Sequence, residues 1–329
     1  MKTLPRKIIG IGETVLDIIF KDDAPSAAVP GGSTFNAMIS LGRTVHRDFP
    51  DVPIVMVTET GDDHVGDIVA AFMEANGVDT SAVTSRPGSQ SHISLAFLDE
   101  NNDAHYEFYK DHAHARLQPE KVQSVHFEKD DIVLFGSFFA VNPVIRDFTR
   151  TLLTRARQAG AIIYYDINFR PSHIGELPLV MGNIEENCRL ADFVRGSAED
   201  FSYLFDGLTD GREIYENHLK ALCPRFILTR GADPVEIYTP EASFSFPVSQ
   251  IETVSTIGAG DNFNAGFIYG LVAEGITRSC RGDDLNLPDT QWQPLLKSAT
   301  AFSREVCQSI FNYDPNSFFC SNGPQNTHR

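Results

Sequence analysis

Residues 253–271 read TVSTIGAGDNFNAGFIYGL, and they carry the strongest structural signal in the chain. Apolar residues recur every four positions at Phe263, Phe267 and Leu271, which predicts a helix over the second half of the stretch. Three small residues at 258–260 come directly before that helix. Backbone N–H groups in such a turn can approach an anion closely, and the helix dipole favours negative charge there. The stretch therefore predicts an anion-binding turn that opens a helix.

Asp261 lies where this turn enters the helix. A carboxylate repels phosphate, so Asp261 is poorly suited to hold a phosphate group itself. It is well suited to accept a proton from a hydroxyl group that attacks a phosphate. A glycine-rich turn with Asp261 as an ordinary helix N-cap explains the spacing equally well, and the spacing alone does not separate the two interpretations.

Short apolar runs that end in polar residues or glycine recur along the chain and predict strands. They lie at residues 7–12, 53–58, 131–136, 161–166, 191–194 and 225–229. Stretches with helical periodicity, such as 31–44, separate them. Repeated strand–helix units predict an α/β fold with a doubly wound, mostly parallel sheet and helices on both faces. Ligands bind such sheets at the carboxyl ends of the strands.

Residues 92–109 break this alternation, because two strand-like runs flank the polar turn at 99–103. That pattern is typical of a β-hairpin. Residues 235–252 predict two further short strands. The sequence thus predicts extra strands inserted into one α/β unit, with no separate second domain.

The composition limits the possible partners. The chain has 329 residues and a net charge of −17, which argues against nucleic acid and anionic membrane surfaces as partners. Its five cysteines form no C-x-x-C pair, and no signal peptide or membrane-length apolar stretch is evident. We therefore expect a cytoplasmic protein. The Walker pattern G-x-x-x-x-G-K-[ST] does not occur, and the lone Gly10-Ile11-Gly12 is weak evidence for a dinucleotide site.

The GAGD segment at 258–261 resembles the signature of the ribokinase, or PfkB-type, carbohydrate kinases. Other segments resemble that family in the same order along the chain. They are Gly12-Glu13 with Asp17, Gly31-Gly32 with Asn36, Gly61-Asp62-Asp63 with Gly66, Gly77-Val78-Asp79, the hairpin at 92–109, Asp166 with Asn168 and Arg170, and Thr229 with Gly231. The resemblance covers about residues 7–312. It implies one ribokinase-like kinase domain over 1–329, with a small β-sheet lid formed by segments at about 14–32 and 92–112.

The resemblance also implies roles for individual residues. Asp261 would be the catalytic base, and Gly258, Ala259 and Gly260 would form the anion hole. Sugar-binding residues would be Asp17, Gly31, Gly32, Asn36 and Arg170. Nucleotide-binding residues would be Asn168, Ser197, Thr229 and Gly231. Glu199 and Asp200 would organise Mg²⁺ through water. The implied substrates are ATP with Mg²⁺ and a small-molecule sugar or sugar acid.

Two segments depart from the family pattern. The family usually has N-x-x-E where residues 194–201 read VRGSAEDF, so Ser197 and Asp200 occupy those positions. The family signature often begins with Asp-Thr, whereas this chain has Ser255-Thr256. Because that aspartate commonly helps to hold a monovalent cation, the need for such a cation stays open.

The D-x-N-x-R segment at 166–170 resembles fructokinase-like and 2-keto-3-deoxygluconate kinase-like members, and it favours fructose as the substrate. A sugar acid or a nucleoside is the alternative, since Arg170 could bind a carboxylate as well as a phosphate. A non-catalytic sugar-binding regulator on a kinase scaffold is the alternative from another class. The resemblance further implies a homodimer that pairs through the lid.

Overall fold

All six predicted apolar runs form strands, and further strands accompany them. The computed structural model describes residues 7–99, 104–109, 119–279, 284–309 and 312–313. The strands within these ranges are β1 (Ile8–Ile11), β2 (Val15–Lys21), β3 (Ala24–Gly31), β4 (Ile54–Gly61), β5 (Val83–Arg86), β6 (Ile93–Leu98), β7 (Ala104–Tyr109), β8 (Ile132–Gly136), β9 (Ile162–Asp166), β10 (Phe193–Ser197), β11 (Phe226–Thr229), β12 (Val235–Tyr238) and β13 (Ser243–Phe246).

Helices connect most of the strands. They are α1 (Ser33–Asp48), α2 (His64–Ala75), α3 (Pro119–Ser124), α4 (Arg146–Ala159), α5 (Leu177–Leu190), α6 (Ala198–Leu204), α7 (Gly211–Ile214), α8 (Ala259–Ala273) and α9 (Trp292–Cys307). Helix α8 confirms the helix predicted within residues 253–271, and it begins directly after Gly258. None of the helices in the described ranges is both long and apolar enough to cross a membrane.

The main sheet has nine strands in the order β13-β12-β11-β10-β9-β8-β1-β4-β5. The strands from β11 through β5 run parallel, and β12 and β13 add an antiparallel edge. The prediction of a mostly parallel sheet is therefore confirmed. Register aligns the strand ends, since Ser197 lies beside Thr229 and Gly136 beside Asp166. Residues that are far apart in the sequence thus reach one edge of the sheet.

Two apolar layers cover the two faces of this sheet. One layer contains buried residues of α4, α5 and α6, and the other contains buried residues of α1, α8 and α9. Successive residues of β10 alternate between them, with Phe193 in the second layer and Val194 in the first. This arrangement confirms helices on both faces of a doubly wound sheet.

Helix α8 is buried along most of its length. Phe267 is fully buried between the rings of Tyr164, Phe193 and Trp292, with centroids 5.1 to 6.2 Å away. A Cβ atom at Gly266 would lie 2.4 Å from the carbonyl oxygen of Ser298, so α9 packs closely against α8. Because α8 cannot shift without disturbing the strands and α9 that pack against it, its first turn is held in a fixed position.

A second sheet of four strands lies apart from the main one, in the order β3-β2-β6-β7. We call it the lid sheet. Strands β6 and β7 form the predicted hairpin, and β2 pairs with β6 in parallel and with β3 in an antiparallel hairpin. Asp22 and Asp23 make the β2–β3 turn with φ values of 52° and 58°, as a tight two-residue hairpin requires. The small separate sheet is confirmed, and residues 100–103 and 110–112 of the predicted lid lie outside the described residues.

Candidate active site

The N-termini of α1 and α8 define the site. The residues that precede these helices are Gly32, with φ 122°, and Gly258, with φ 75°. A Cβ atom at Gly32 would lie 2.4 Å from the carbonyl oxygen of Glu13, and one at Gly258 would lie 2.6 Å from that of Asn312. Only glycine fits both the backbone angles and the space at these two positions. Each helix presents free N–H groups and a positive dipole end, which favours negative charge nearby.

The Asp261 carboxylate, in the first turn of α8, connects the two helices. Its Oδ1 accepts a hydrogen bond of 2.7 Å from Ser33 Oγ, and its Oδ2 accepts one of 2.9 Å from Asn36 Nδ2. Burial raises the pKa of Asp261 above its ordinary value, and the hydrogen bonds from Asn36 and Ser33 and the charge of Arg170 oppose that rise. A buried carboxyl group with a raised pKa is a stronger base than an exposed aspartate, so this group can accept a proton.

Asp17 brings a second buried carboxylate from the lid sheet. It lies opposite Ser94 in the β2–β6 pairing and accepts a hydrogen bond from Ser94 Oγ. A Cβ atom at Gly31 would lie 2.2 Å from Asp17 Oδ2, so only glycine leaves room for this carboxylate. Burial raises the pKa of Asp17 to about 6, the Ser94 hydrogen bond lowers it, and the charge of Asp261 raises it further. The two carboxylates therefore lie within electrostatic range of each other.

The predicted sugar-binding residues converge on this point. Asn36 is buried in α1, and its Oδ1 has no hydrogen-bond partner among the described residues, although its amide nitrogen binds Asp261. Asp17, Gly31 and Gly32 surround the same region. Arg170 follows β9 as an exposed residue, close enough for its charge to lower the pKa of Asp261. An orphaned amide oxygen and a carboxylate are acceptors that could bind the hydroxyl groups of a polyol.

Asn168 and Ser137 lie at the ends of the neighbouring strands β9 and β8. Their φ values are 37° and 57°, in the left-handed region that non-glycine residues rarely occupy. Asn168 Nδ2 donates a 2.8 Å hydrogen bond to Ser137 Oγ, which ties the two loops together. Strained backbone of this kind is concentrated at functional sites.

The predicted metal-organising residues occupy the start of α6. Asp200 Oδ2 accepts hydrogen bonds from the backbone N–H of Ser197, at 2.6 Å, and from Ser197 Oγ, at 2.8 Å, in a capping box. Asp200 is buried, and burial raises its pKa. Glu199 is exposed and accepts a hydrogen bond from Tyr203. Among the two, Glu199 is the carboxylate that faces solvent, whereas Asp200 is engaged inside the protein.

The two nucleotide-binding residues predicted at the end of β11 are Thr229 and Gly231, and one is buried while the other borders open space. Thr229 is buried, and its Oγ1 accepts a 2.7 Å hydrogen bond from Arg195. Gly231 has a φ of 59°, and no atom lies within 4 Å of the position that its Cβ would take. The positive φ favours glycine at position 231, and the space beside this residue is open. In the described part of the chain, no cluster of three or more His, Cys, Asp or Glu side chains is arranged to hold a metal ion.

Four residues that form hydrogen bonds with the predicted site residues or with Asp166 were not predicted from the sequence. They are Ser33, Ser94, Arg195 and Asn312. Ser33 directly follows Gly31-Gly32, and a hydroxyl in the first turn of a predicted helix was a usable signal. Arg195 is a charged residue that directly follows the apolar run predicted at 191–194, and this position was a second usable signal. Asn312, near the C-terminus, donates a 3.5 Å hydrogen bond from its Nδ2 to Asp17 Oδ2. No local sequence pattern indicates that contact.

Comparisons with known proteins agree on one family. The sequence profile of the pfkB family carbohydrate kinases matches residues 6–309. A fructokinase from Rhizobium leguminosarum bv. trifolii is 28% identical, over 80% of this chain and 79% of its own length. A 5-dehydro-2-deoxygluconokinase from Geobacillus thermodenitrificans is 24% identical, over 74% of this chain and 72% of its own.

Two solved structures share the fold. The aminoimidazole riboside kinase from Salmonella enterica, complexed with aminoimidazole riboside and an ATP analogue, has a TM-score of 0.76 at 20% identity, covering 93% of this chain and 95% of that one. The fructokinase from Vibrio cholerae O395, bound to fructose, ADP and calcium ion, has a TM-score of 0.75 at 19% identity, covering 93% and 94%. At these identities the likeness establishes the shared ribokinase-like fold.

Replacing Ser33 by alanine tests the hydrogen bond that it donates to Asp261. Because that bond favours the charged carboxylate, its loss should raise the pKa of Asp261 further and move the titration midpoint to higher pH. The measurement is a carbon NMR titration of protein labelled at the aspartate carboxyls, with Asp261→Asn identifying the signal. Ser81→Ala, at an exposed position, is the matched control and should leave the midpoint in place. An unchanged or lowered midpoint in Ser33→Ala would contradict the assigned contact.

Proposed function

Because this chain belongs to the pfkB family of carbohydrate kinases, we propose that it transfers the γ-phosphoryl group of ATP to a sugar hydroxyl, with fructose as the favoured acceptor. The observation that carries the proposal is the Asp261 carboxylate, buried in the first turn of α8. It can accept the proton of an attacking hydroxyl, and it lies beside a turn whose N–H groups favour a negatively charged phosphoryl group.

Each step of the proposed reaction uses groups of this chain. Asp17 and Asn36 accept hydrogen bonds from the sugar and direct one hydroxyl toward Asp261. Asp261 takes the proton of that hydroxyl as the hydroxyl oxygen bonds to the γ-phosphorus, while the bond from that phosphorus to the bridging oxygen of ATP breaks and ADP leaves. The backbone N–H groups of Gly258 and Gly260 donate hydrogen bonds to the phosphoryl oxygens, whose charge develops at the N-terminus of α8. The third residue predicted for the anion hole, Ala259, donates its N–H to the carbonyl oxygen of Thr256 at 3.2 Å. Alignment and electrostatic complementarity supply most of the catalysis in this scheme.

Mg²⁺ fits the residues present in a limited way. The exposed Glu199 carboxylate could hold a hydrated ion through water, whereas the Asp200 carboxylate is already engaged by Ser197. Mg²⁺ in kinases is commonly bound through one or two carboxylates together with the phosphates of the nucleotide, so a dedicated protein cage is unnecessary. When bound, the ion would offset the negative charge of the phosphates. We therefore favour Glu199 over Asp200 as the residue that organises Mg²⁺.

Fructose is favoured over a sugar acid on two grounds. The fructokinase relative is 28% identical to this chain, against 24% for the 5-dehydro-2-deoxygluconokinase. The buried acceptors near Asp261 are a carboxylate and an amide oxygen, which suit neutral hydroxyls. Arg170 favours a sugar acid instead, since its charge reaches the site and could pair with a carboxylate.

A substrate panel tests the acceptor directly. ADP release would be measured with fructose, 2-keto-3-deoxygluconate, 5-dehydro-2-deoxygluconate and adenosine, and we expect the highest kcat/KM with fructose. Thermal shift of the same panel gives a second readout, because a ligand at a hundred times its Kd stabilises the folded state by about 2.7 kcal/mol. A higher kcat/KM for an acid or nucleoside would reject fructose. Sugar binding without any ATP turnover would favour the non-catalytic regulator.

Asp261→Asn tests the proposed base. The substitution keeps the size of the side chain but removes its ability to take a proton, so kcat should fall by about 10² to 10⁴-fold. Asp51→Asn is the matched control, because Asp51 is exposed in the loop before β4, at the opposite edge of the sheet. The control should retain wild-type kcat. Wild-type turnover by a folded Asp261→Asn protein would exclude Asp261 as the base.

The lid sheet also supports the proposed homodimer. Its outer face carries Ile18 and Phe20 of β2 beside Leu95 and Phe97 of β6, all partly exposed. The rings of Phe20 and Phe97 stack at 4.9 Å, and they form an apolar patch that a second copy of this chain could cover.

Light scattering after size exclusion should give twice the chain mass at micromolar concentration. Phe20→Asp should shift the protein toward monomer, because dimerisation would then bury an unpaired charge. Leu179→Asp, at a position 74% exposed on α5, is the control and should stay dimeric. A wild-type protein that is monomeric at this concentration would contradict the dimer.

A further inference from the structure

A buried arginine lies beneath the first turn of α8. Arg195 is the third residue of β10, on the same side of the sheet as Phe193 and facing α8. Its guanidinium carbon lies 5.7 Å from the centre of the Phe263 ring. A Cβ atom at Gly260 would lie 3.0 Å from both Nη1 and Nη2, so the guanidinium group is in contact distance of the turn itself. The glycine at 260 therefore makes room for this cation.

The hydrogen bonds of Arg195 connect three strand ends. Nη1 donates to Asp166 Oδ1 at 3.0 Å, and Nη2 donates to Thr229 Oγ1 at 2.7 Å. Nε has no hydrogen-bond partner among the described residues, although the residue is only 7% exposed. An incompletely satisfied buried charge is costly, and apolar residues of similar volume often replace buried ion pairs without loss of stability. Stability alone is therefore a weak reason for a charge at this position.

The Arg195–Asp166 ion pair is oriented along the axis of α8, with the two charges under different turns of the helix. Asp166 uses its other oxygen to accept a 2.7 Å hydrogen bond from Asn264 Nδ2, four residues and about one turn beyond Gly260. The positive member of the pair thus lies under the first turn, and the negative member lies under the second. This orientation adds positive potential at the end of the helix where the dipole is already positive.

We propose that Arg195 is a positioning residue for phosphoryl transfer, which holds the turn at 258–260 and Thr229 in place and supplies positive potential beneath the transferring group. This inference rests on the proposed ATP-dependent reaction. The guanidinium group acts through the turn and through Thr229, and it has no direct role in proton transfer. A role limited to neutralising Asp166 is the competing explanation, and the two explanations make different predictions for a variant that lacks Asp166.

The experiment compares R195M, R195K, D166N and the double variant D166N/R195M with the wild type. In R195M we expect kcat to fall about 10²-fold and the Kd for ATP to rise about tenfold, while KM for the sugar stays within about threefold. The Kd for adenosine, which has no phosphate, should change less than twofold. R195K keeps the charge without the fork that reaches two acceptors, so its loss in kcat should be about tenfold.

R278M is the matched structural control. Arg278 is a buried arginine that pairs with Asp192 at 2.5 Å, and its contacts with the carbonyls of residues 160 and 161 place it at the opposite edge of the sheet. Its loss should lower Tm and leave kcat per folded molecule within about twofold.

The double variant separates the two explanations. If Arg195 acts on the turn, D166N/R195M should be slower than D166N and bind ATP more weakly than D166N does. Equal kcat and equal ATP affinity in these two proteins would overturn the proposal, as would a folded R195M with both values within twofold of wild type. If R195M does not fold, R195K with wild-type kcat would overturn it. ATP affinity is measured without any sugar, so failure of the fructose assignment would not be mistaken for failure of this inference.

Discussion

Burying the carboxylate of Asp261 is the constraint on which the rest of the site depends. A buried charge is expensive unless donors and dipoles surround it. Here the first turns of two helices supply both, through Ser33 and Asn36 from α1 and through the dipole of α8 itself. Both helices must therefore begin close to each other above the sheet. Gly32 and Gly258 make this possible, because glycine can adopt the positive φ angles that precede the two helices.

A second buried network fixes the strands beneath that point. Tyr164 donates to Asn264, Asn264 donates to Asp166, and Arg195 connects Asp166 with Thr229. The network joins three neighbouring strands to α8, so the strand ends and the helix cannot move independently. Such networks define one arrangement of a core because any other leaves polar groups unsatisfied. The chain carries a net charge of −17, so local groups of this kind, not the overall charge, must create a region that accepts a phosphate.

The site is assembled from both sheets. Asp17 belongs to the lid sheet, whereas Asp261 belongs to a helix on the main sheet, and their charges interact. A substrate that lies between them would be held by one sheet and deprotonated from the other. Movement of the lid sheet would therefore change binding and the exclusion of water together, which is how many kinases protect phosphoryl transfer.

The sequence alone determined the features that depend on neighbouring residues. The apolar runs predicted β1, β4 and the strands β8 to β11 of the main sheet, although β5 was not predicted. The four-residue periodicity predicted α8, and the small residues before Asp261 predicted a tight turn at its start. Each of these follows from local backbone preferences and from burial of one face of an element. The resemblance to the carbohydrate kinases added the lid segments and the remaining site positions.

Only the tertiary structure decided which side chains meet. Ser33 and Asp261 are 228 residues apart, and strand order and register bring them together. Asp200 was predicted as a metal-organising residue, but its carboxylate closes a capping box with Ser197. Arg195 directly follows the strand predicted at 191–194, and its position under Gly260 follows from the packing of α8 on β10. Contacts of this kind depend on how whole elements pack, and no local pattern in the sequence encodes that packing.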